Sequence, residues 1–476
     1  LCIAGTVTPG NRFALCDLPE GELVLQYGQP IGTSRGISAG DPITPSNLAN
    51  EVPVVREVSQ GLHTTAPDLV PDAERETFPG HRRADGRVGT RNWVVVLPTS
   101  AAVSHEARQI ALLAEHKLFS ADRYPQVDGV VALPHDRDCD DPQDPQPDVV
   151  LRTLAHTAAH PNVGAVLFLS ATADGRSRLA EHVQRLGHDR PSAWLNVREV
   201  GGTRAAVERG LREIEDLLQR ADATQREACP ASNLVLGVEC GGSDGFSGLS
   251  ANPSLGRAAD LLVAQGGGVL LSEVPEFCGA EHVLAARARD ADVARDVYAL
   301  VDWYKSYAAD FGASLAENPS PGNIAGGLLN ITIKSLGAIA KGGTTRVEGV
   351  TRYAEPPANA NGLHLMQGPG YDQESVPGLV AAGATVVVFT TGRGTTIGNA
   401  IVPVIKLASN TPTFERLSRD IDLSAGGVID GTESIASVGA RVFERILAVA
   451  RGSRSLAEEA GHREFQIWSA RTPAPA

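Results

Sequence analysis

The feature that most constrains the fold is an alternation of short, continuous apolar runs with helix-like segments over most of the chain. The apolar runs that predict strands are 93–97, 129–133, 165–169, 234–238, 268–271 and 385–389. The segments that predict helices are 104–116, 149–156, 204–220, 281–311, 324–340, 413–420 and 433–450. Unbroken apolar strands separated by helices are typical of parallel sheets that are covered on both faces. The sequence therefore predicts an α/β fold with mainly parallel sheets.

The N-terminal region has a different pattern. In residues 1–54, short apolar runs are separated by turn formers such as the Pro-Glu-Gly sequence at 19–21, which predicts a small β-rich domain. Residues 55–80 are polar and contain several prolines, which predicts a linker. We expect α/β domains at 81–228 and 229–476, and a length of 476 residues fits several domains.

Charge and composition exclude several function classes. A formal net charge of −14 disfavours nucleic acid as a partner, because binding to a phosphate backbone needs an excess of Lys and Arg. No run of 18 apolar residues predicts a membrane span, and no basic segment followed by an apolar one predicts a secretory signal. Six cysteines without a CxxC pair favour a reducing compartment, so we expect a cytoplasmic protein that acts on a small molecule.

An arginine-rich segment, HRRADGRVGTRN at 81–92, directly precedes the first predicted α/β strand. Guanidinium groups bind carboxylates and phosphates through paired hydrogen bonds. Arg87 and Arg91 are therefore candidate substrate anchors. The alternative is a solvated segment whose arginines pair with nearby acids.

A glycine-rich loop, CGGSDGFSG at 240–248, follows another predicted strand. Loops at the carboxyl ends of parallel strands are where α/β folds bind ligands. Ser243 and Asp244 offer a hydroxyl and a carboxylate to a polyhydroxylated substrate or to a metal, and Asp244 is also a catalytic candidate. The alternative is a tight turn capped by the aspartate.

Two further segments surround the helix predicted at 324–340. A loop rich in Asn, Ser and Gly at 317–323 precedes it, and Asn323 is a candidate for anion binding near the helix N-terminus. Lys341 follows it in a glycine-flanked loop and can act as an acid or base if desolvation lowers its pKa. A solvated lysine is the alternative.

The TTGRGTTIG loop at 390–398 follows the last predicted strand of this region. Its backbone N–H groups, with Arg393 and Thr395, form a plausible anion cradle. The GxGxxxG spacing differs from the fingerprint of dinucleotide-binding loops, so the loop by itself does not predict a nicotinamide site.

The HDRDCD segment at 135–140 combines an imidazole, a thiol and three acids at the end of a predicted strand. Such a set can hold a metal or supply an acid–base pair, so His135 is a catalytic candidate. A charged loop is the alternative, because one His and one Cys are few ligands.

Taken together, these motifs resemble the altronate/galactarate dehydratase family over most of the chain, in order and with short gaps. The matching motifs are GRVGTRN (86–92), REVGGT (198–203), ECGGSDGFSG (239–248), LSEVPE (271–276), NPSPGN (318–323), KSLGAIAKGGTT (334–345), GPGYD (368–372), FTTGRGT (389–395) and IKLASNTPTFERL (405–417). RFAL (12–15) and YGQPIG (27–32) resemble the β-clip (SAF-like) domain of the same family.

The resemblance implies a hydro-lyase that abstracts the proton next to a carboxylate, expels the β-hydroxyl and yields a 2-keto-3-deoxy acid. It makes 229–476 the catalytic domain and implies a divalent metal such as Fe²⁺ or Mn²⁺, which would stabilise the charge that builds on the carboxylate. The metal-ligand candidates are His135, Cys139 and Cys240.

The chain departs from the family pattern where metal ligands are expected. Asn11, Thr44 and Ser46 replace residues of the β-clip motif, and other positions where cysteine is expected carry Ala102, Thr172, Asn399 and Ala425. Because these side chains bind iron or zinc poorly, we expect a weakened metal centre.

The leading hypothesis is therefore a dehydratase of a sugar acid or another sugar-derived, polyhydroxylated substrate, with a specialised pathway such as antibiotic biosynthesis as one setting. One alternative is a dehydratase assisted by NAD, in which transient oxidation acidifies the C–H bond. Another is a non-catalytic protein that binds sugar acids. We also expect a homo-oligomer.

Overall fold

The computed structural model describes residues 3–50, 52, 56–58, 62–139, 147–187, 189–314 and 318–468. The N-terminal part has five short strands: β1 (Arg12–Phe13), β2 (Leu23–Gln26), β3 (Gln29–Ser34), β4 (Pro42–Ile43) and β5 (Leu48–Ala49). β1 pairs with β4, and the other three form an antiparallel sheet in the order β2-β3-β5. Its small core includes Leu328, Leu329 and Ile333 from the C-terminal region, so this module, residues 3–50, is packed on the rest of the protein.

The middle region is organised by a four-stranded parallel sheet. Its elements in chain order are β6 (Thr77–Arg82), β7 (Val88–Gly89), β8 (Trp93–Pro98), α1 (Ser104–Lys117), β9 (Gly129–Ala132), α2 (Pro147–Ala158), β10 (Val163–Ser170), α3 (Ala173–Arg185), β11 (Ser192–Asn196), α4 (Thr203–Asp222) and β12 (Glu227–Pro230). The parallel sheet has the order β11-β10-β8-β9, and β12, β6 and β7 form a separate antiparallel sheet.

The C-terminal region contains a seven-stranded sheet in which every neighbouring pair is parallel, in the order β15-β16-β14-β13-β17-β18-β19. Its strands are β13 (Val235–Cys240), β14 (Gly268–Leu271), β15 (Val347–Thr351), β16 (Gly362–Met366), β17 (Val386–Thr391), β18 (Val404–Ala408) and β19 (Leu423–Ser424). The helices are α5 (Ala251–Ala264), α6 (Glu281–Ala285), α7 (Ala291–Asp310), α8 (Pro321–Ala325), α9 (Ile331–Ala338), α10 (Asp372–Ala381), α11 (Thr411–Arg416), α12 (Gly426–Ile429), α13 (Ile435–Ala450) and α14 (Leu456–Glu459).

The prediction of an α/β fold with mainly parallel sheets and a small N-terminal β-rich part is confirmed. The end of the segment predicted as a linker, however, is strand: β6 starts at Thr77 and pairs with β12 over Thr77–Gly80. Val58 and Leu62, two apolar side chains in this mostly polar stretch, also pack against the core of the C-terminal region. Removing their apolar surface from water favours this contact.

None of the helices that the structure describes is both long enough and apolar enough to cross a bilayer. What matters for function is the sheet polarity: β13, β14 and β17 are adjacent and parallel, so the loops at their carboxyl ends meet at one edge.

Candidate functional site

Two glycine-containing loops meet at this edge, one after β13 and one after β17. The N–H of Gly241 donates to the carbonyl of Thr390 at 3.1 Å. The N–H groups of Gly392 and Arg393 both donate to the carbonyl of Gly242, at 3.2 and 3.0 Å. The two loops therefore converge as the sequence suggested. The amides of Gly392 and Arg393, predicted to cradle an anion, instead hold the loops together.

Lys341 lies at the centre of the site, fully buried in the turn that follows α9. Its Nζ donates to Cys240 Sγ at 2.9 Å and to a carboxylate oxygen of Glu273, and it lies 3.7 Å from Glu276 Oε2. Close packing positions this turn, because a Cβ on Gly256 in α5 would lie 2.0 Å from one of its carbonyl oxygens. A glycine is therefore needed in α5 for the lysine to reach the sheet edge.

The two glutamates come from the turn after β14. Glu273 has φ 68°, a left-handed conformation that is uncommon for a residue with a Cβ and that recurs at functional sites. Glu276 Oε1 pairs with Lys334 Nζ of α9 at 2.8 Å, and the same Nζ donates to Asn318 Oδ1 at 3.0 Å. Two ammonium groups and two carboxylates thus form one buried chain of charges.

A third glutamate, Glu239 of β13, is neutral in this arrangement. Its Oε1 accepts a hydrogen bond from Ser375 Oγ, whereas its Oε2 and Glu273 Oε1 are buried with no ordinary donor. One proton shared between the two carboxyl groups satisfies both oxygens. Burial and the charge of Glu273 accordingly raise the pKa of Glu239 well above its usual range.

The charges around Lys341 decide its protonation. Burial alone would lower the pKa of Lys341, but Cys240, Glu273 and Glu276 raise it well above its usual range. The condition stated for Lys341 as a base, a pKa lowered by desolvation, is therefore not met, because the neighbouring acidic groups outweigh the effect of burial. Lys341 is a fixed positive charge and not a base.

Asp372 is the carboxyl group of this site that titrates near neutral pH. Burial, followed by the charges of Glu273 and Glu276, raises its pKa to about 7. It occupies the first turn of α10, is half-buried, and lies so close to the loop that a Cβ on Gly241 would be 2.3 Å from its Oδ2. A carboxyl group with such a pKa can exchange a proton at physiological pH.

A narrow cavity opens beside this cluster. Its walls include Cys240, Ser243 and Lys334 from the C-terminal region, and Arg12 and Tyr27 from the N-terminal module. The cavity itself is about 10 Å³, room for about one water molecule, and Arg12, Tyr27 and Gly245 also line an adjoining groove of about 1000 Å³. A larger molecule approaches the charged groups from that groove.

Three of the predicted substrate-binding residues lie around these loops. Asn323 Nδ2 donates to the carbonyl of Ser243 at 2.7 Å. The guanidinium of Arg393 packs on Gly322, where a Cβ would lie 2.0 Å from Nη1. Thr395, in the same loop as Arg393, accepts the N–H of Ile397 at 3.2 Å and so stabilises that loop.

Asp244, predicted as catalytic, is fully used by the loop itself. Its Oδ1 accepts hydrogen bonds from two backbone N–H groups and, at 2.9 Å each, from the hydroxyls of Ser247 and Ser409. Its Oδ2 accepts a hydrogen bond from Asn410 Nδ2 at 3.0 Å. The carboxylate ties the loop after β13 to the end of β18, which is the aspartate-capped turn left open above.

Arg87 and Arg91 lie in another network. Arg87 pairs with Asp85 at 2.7 Å. Arg91 pairs with Glu458 at 2.8 Å and donates to carbonyls at the end of α13. Both arginines have protein partners, and none of these partners belongs to the cluster around Lys341.

His135 has neither ring nitrogen free. Its Nδ1 accepts the N–H of Arg137 at 3.2 Å, and its Nε2 donates to the carbonyl of Pro98 at 2.8 Å. Burial lowers its pKa to about 4, so it is neutral. Among the described residues, His135 and Cys139 do not join Cys240 in a group with metal-ligand spacing.

The donor group that does form, Cys240 with Glu273 and Glu276, has ligand atoms within 4.8 Å of one another. The Nζ of Lys341 already binds two of its members, and burial raises the pKa of the Cys240 thiol well above its usual range. A divalent cation would have to displace that ammonium and ionise that thiol. The residues as arranged therefore do not fit a resident metal.

Sequence reasoning gave no role to the residues that complete the cluster: Glu239, Glu273, Glu276, Lys334 and Asp372. Each of them lies in a motif that carried the family resemblance, which was the available signal. Their positions, three on β13 or just after β14 and two on helices, show no local spacing that points to a common site.

The fold and site define an α/β protein with a buried cluster of lysines and carboxyls at the carboxyl edge of a parallel sheet. The family models for the D-galactarate/altronate dehydratase C-terminal domain and the D-galactarate dehydratase/altronate hydrolase second domain match residues 231–472 and 80–222. These two matches cover most of the chain.

Curated relatives agree. Altronate dehydratase of Bacillus subtilis is 34% identical over 463 residues, covering 96% of this chain and 90% of that protein. Galactarate dehydratase (L-threo-forming) of Escherichia coli is 36% identical and covers 98% and 90%. The (2R)-sulfolactate sulfo-lyase subunit beta of Chromohalobacter salexigens is 35% identical and covers 82% and 97%.

The chain belongs to the D-galactarate/altronate dehydratase family, which confirms the resemblance found in the sequence. The predictions of a sugar-acid dehydratase and of a lyase are confirmed at the level of this family.

Proposed function

We propose that this protein is a hydro-lyase that removes water from a sugar acid, with the lysine–carboxyl cluster as its catalytic centre. The observation that carries the proposal is the buried chain of Lys341, Glu273, Glu276 and Lys334 beside the cavity, in a chain of this family. A sugar acid brings a carboxylate, and a carboxylate needs positive charge at the place where it binds.

The reaction requires stabilisation of negative charge. Removing the proton next to a carboxylate places a second negative charge on that group, and preorganised cations lower the cost of this step. Lys334 lines the cavity, and Lys341 lies directly behind Cys240. In this proposal Lys334 contacts the substrate carboxylate, and Lys341 supplies a fixed positive charge that does not exchange its proton.

Asp372 transfers the proton in this proposal, because its pKa of about 7 suits a group that must both accept and release a proton. The carboxylate of Asp372 takes the α-proton, and the electron pair of the C–H bond becomes the new C=C bond. The β C–O bond then breaks, and the proton leaves with the hydroxyl as water. The resulting enol tautomerises to the 2-keto-3-deoxy acid.

The test is turnover of D-altronate, D-galactarate and (2R)-sulfolactate by the purified protein, followed by mass spectrometry of the product. We expect loss of 18 mass units from a sugar acid, and a fall in kcat of about 10²–10⁴-fold in Asp372→Asn, as is usual when a general base is removed. Full activity in Asp372→Asn would remove the aspartate from the mechanism. No dehydration of any sugar acid would overturn the proposed function.

Asp292→Asn is the matched control. Asp292 occupies the first turn of α7 as Asp372 does in α10, but it is exposed and pairs with a surface arginine, Arg295. We expect unchanged turnover in Asp292→Asn. An equal loss in both variants would indicate a general effect of removing a helix N-terminal charge.

Finer parts of the proposal concern setting and assembly. The described cysteines at 16, 139, 229, 240 and 278 form no disulfide bonds with one another, which supports a reducing, cytoplasmic setting. The departures from the family's metal ligands support a specialised substrate, as in antibiotic biosynthesis. We also propose a homo-oligomer and folding units at 1–54, 81–228 and 229–476, which light scattering and limited proteolysis would test.

A further inference from the structure

We infer that Arg12, on the N-terminal module, binds the carboxylate of the substrate and that this module completes the active site. The inference rests on the proposed function for the identity of the ligand, a small hydroxy acid. It assigns a substrate-binding role outside the α/β domains.

The first observation is the position of Arg12. It lines the same cavity as Cys240, Ser243 and Lys334 but lies on β1, more than two hundred positions earlier in the chain. The N-terminal module therefore forms part of the wall of this cavity, together with Cys240 and Lys334 of the charged cluster.

The second observation is the charge of Arg12. The guanidinium donates to Gln26 Oε1 and to the carbonyl of Gly327, two neutral groups. Within the described part of the chain no carboxylate pairs with it, and burial lowers its pKa. A partly buried cation that has only neutral partners and faces a cavity is a site for an anion, because an anion would offset the cost of burying the charge.

The third observation is how tightly the module is held. The carbonyl oxygen of Gly10 approaches the backbone so closely that a Cβ on Gly245 or on Gly327 would lie 2.1 or 2.2 Å from it. Asn330, whose side chain caps α9, also donates to the carbonyl of Ile31 at 2.6 Å. Since α9 carries Lys334, the module fixes both Arg12 and the helix of the opposite cation.

Arg12 and Lys334 differ in their partners. Lys334 is neutralised by Glu276 at 2.8 Å, whereas Arg12 has no acidic partner among the described residues. Arg12 therefore contributes most of the uncompensated positive charge that the cavity offers to a hydroxy acid, and its loss affects binding more than the chemical step.

The experiment compares Arg12→Met, Arg12→Lys and Arg35→Met with the wild type. Arg35 is an exposed arginine of the same module whose guanidinium donates to the backbone carbonyl of Ser46 at 3.5 Å, so it controls for loss of charge. We expect Arg12→Met to raise KM about 10- to 100-fold, the range of a charge-assisted contact, with kcat changed much less. Arg12→Lys should recover part of the affinity, and Arg35→Met should behave as the wild type.

A binding readout separates this inference from the proposed function. Tartrate, a small hydroxy dicarboxylate, should raise the melting temperature of the wild type and of Arg35→Met but not of Arg12→Met. An equal tartrate shift in Arg12→Met, or none in the wild type, would overturn the role of Arg12 whatever the turnover assays show. A tartrate shift that depends on Arg12, in a protein that dehydrates no sugar acid, would support the binding site while refuting the hydro-lyase proposal.

Discussion

Replacing Lys341 by methionine removes the charge at the centre of the cluster while nearly keeping the volume of the side chain. Glu273 and Glu276, each almost fully buried, then lose a cationic partner. Breaking a buried ion pair on one side costs about 3–5 kcal/mol. For a domain of roughly 150–250 residues this corresponds to a fall in melting temperature of about 6–20 °C.

The loss should depend on pH. Without the ammonium, the pKa of Glu273, already raised by burial, rises further. A carboxyl group whose pKa is higher in the folded than in the unfolded protein destabilises the fold above the unfolded value and is relieved by protonation in acid. The difference between wild type and Lys341→Met should therefore be larger at pH 8 than at pH 5, as measured by differential scanning fluorimetry.

Lys406 provides the matched control, because it is also fully buried but its Nζ has no hydrogen-bond partner in the described structure. Burial lowers the pKa of Lys406, so removing its charge relieves a desolvation cost. We expect Lys406→Met to leave the melting temperature unchanged or higher. Equal losses in the two variants, or a Lys341→Met loss that does not change with pH, would refute the charge-pairing argument.

The remaining predictions concern activity. The kcat/KM of the wild type should rise with pH through about pH 7 as Asp372 ionises, and kcat should rise in the same way at a higher pH. Both pH-dependent rises should be absent in Asp372→Asn. Exhaustive dialysis against EDTA, checked by elemental analysis, should leave the rate unchanged because Lys341 occupies the donor group; loss of activity that Fe²⁺ or Mn²⁺ restores would contradict this. Arg91→Met should lower stability by roughly 3–5 kcal/mol through loss of its pairing with Glu458 but leave KM unchanged, and a raised KM would return Arg91 to the substrate site.

The sheets were predictable from the sequence because their strands are apolar on both faces. The run at 268–271 was predicted with the bounds that the structure shows for β14, and 93–97 differs from β8 by one residue. β16 at Gly362–Met366 was missed since His364 interrupts its apolar run. The helix predicted at 281–311 is two helices, because Asp290 caps the second and so starts it anew.

The site was predictable only in part. Glycine loops after β13 and β17 identified the correct sheet edge, because the polarity of a parallel sheet determines which loops meet. Lys341 was selected for being flanked by glycines, but its protonation depends on Glu273 and Glu276, which are about seventy residues away in sequence. Arg91 and Asp244 resembled ligand contacts, yet tertiary partners use their hydrogen-bonding capacity.

The balance of charges in the cluster explains why Asp372 should be the group that responds to substrate. The ammonium groups of Lys334 and Lys341 match two ionised carboxylates, while Glu239 is neutral through its shared proton. Ionised Asp372 adds one negative charge that nothing in the cluster offsets, so burial, together with the charges of Glu273 and Glu276, raises its pKa to about 7. An anionic substrate adds another and raises the pKa of Asp372 further. Because kcat reports the complex and kcat/KM the free enzyme, the inflection of kcat must lie at higher pH, and a shift in the opposite direction would place the substrate away from this aspartate.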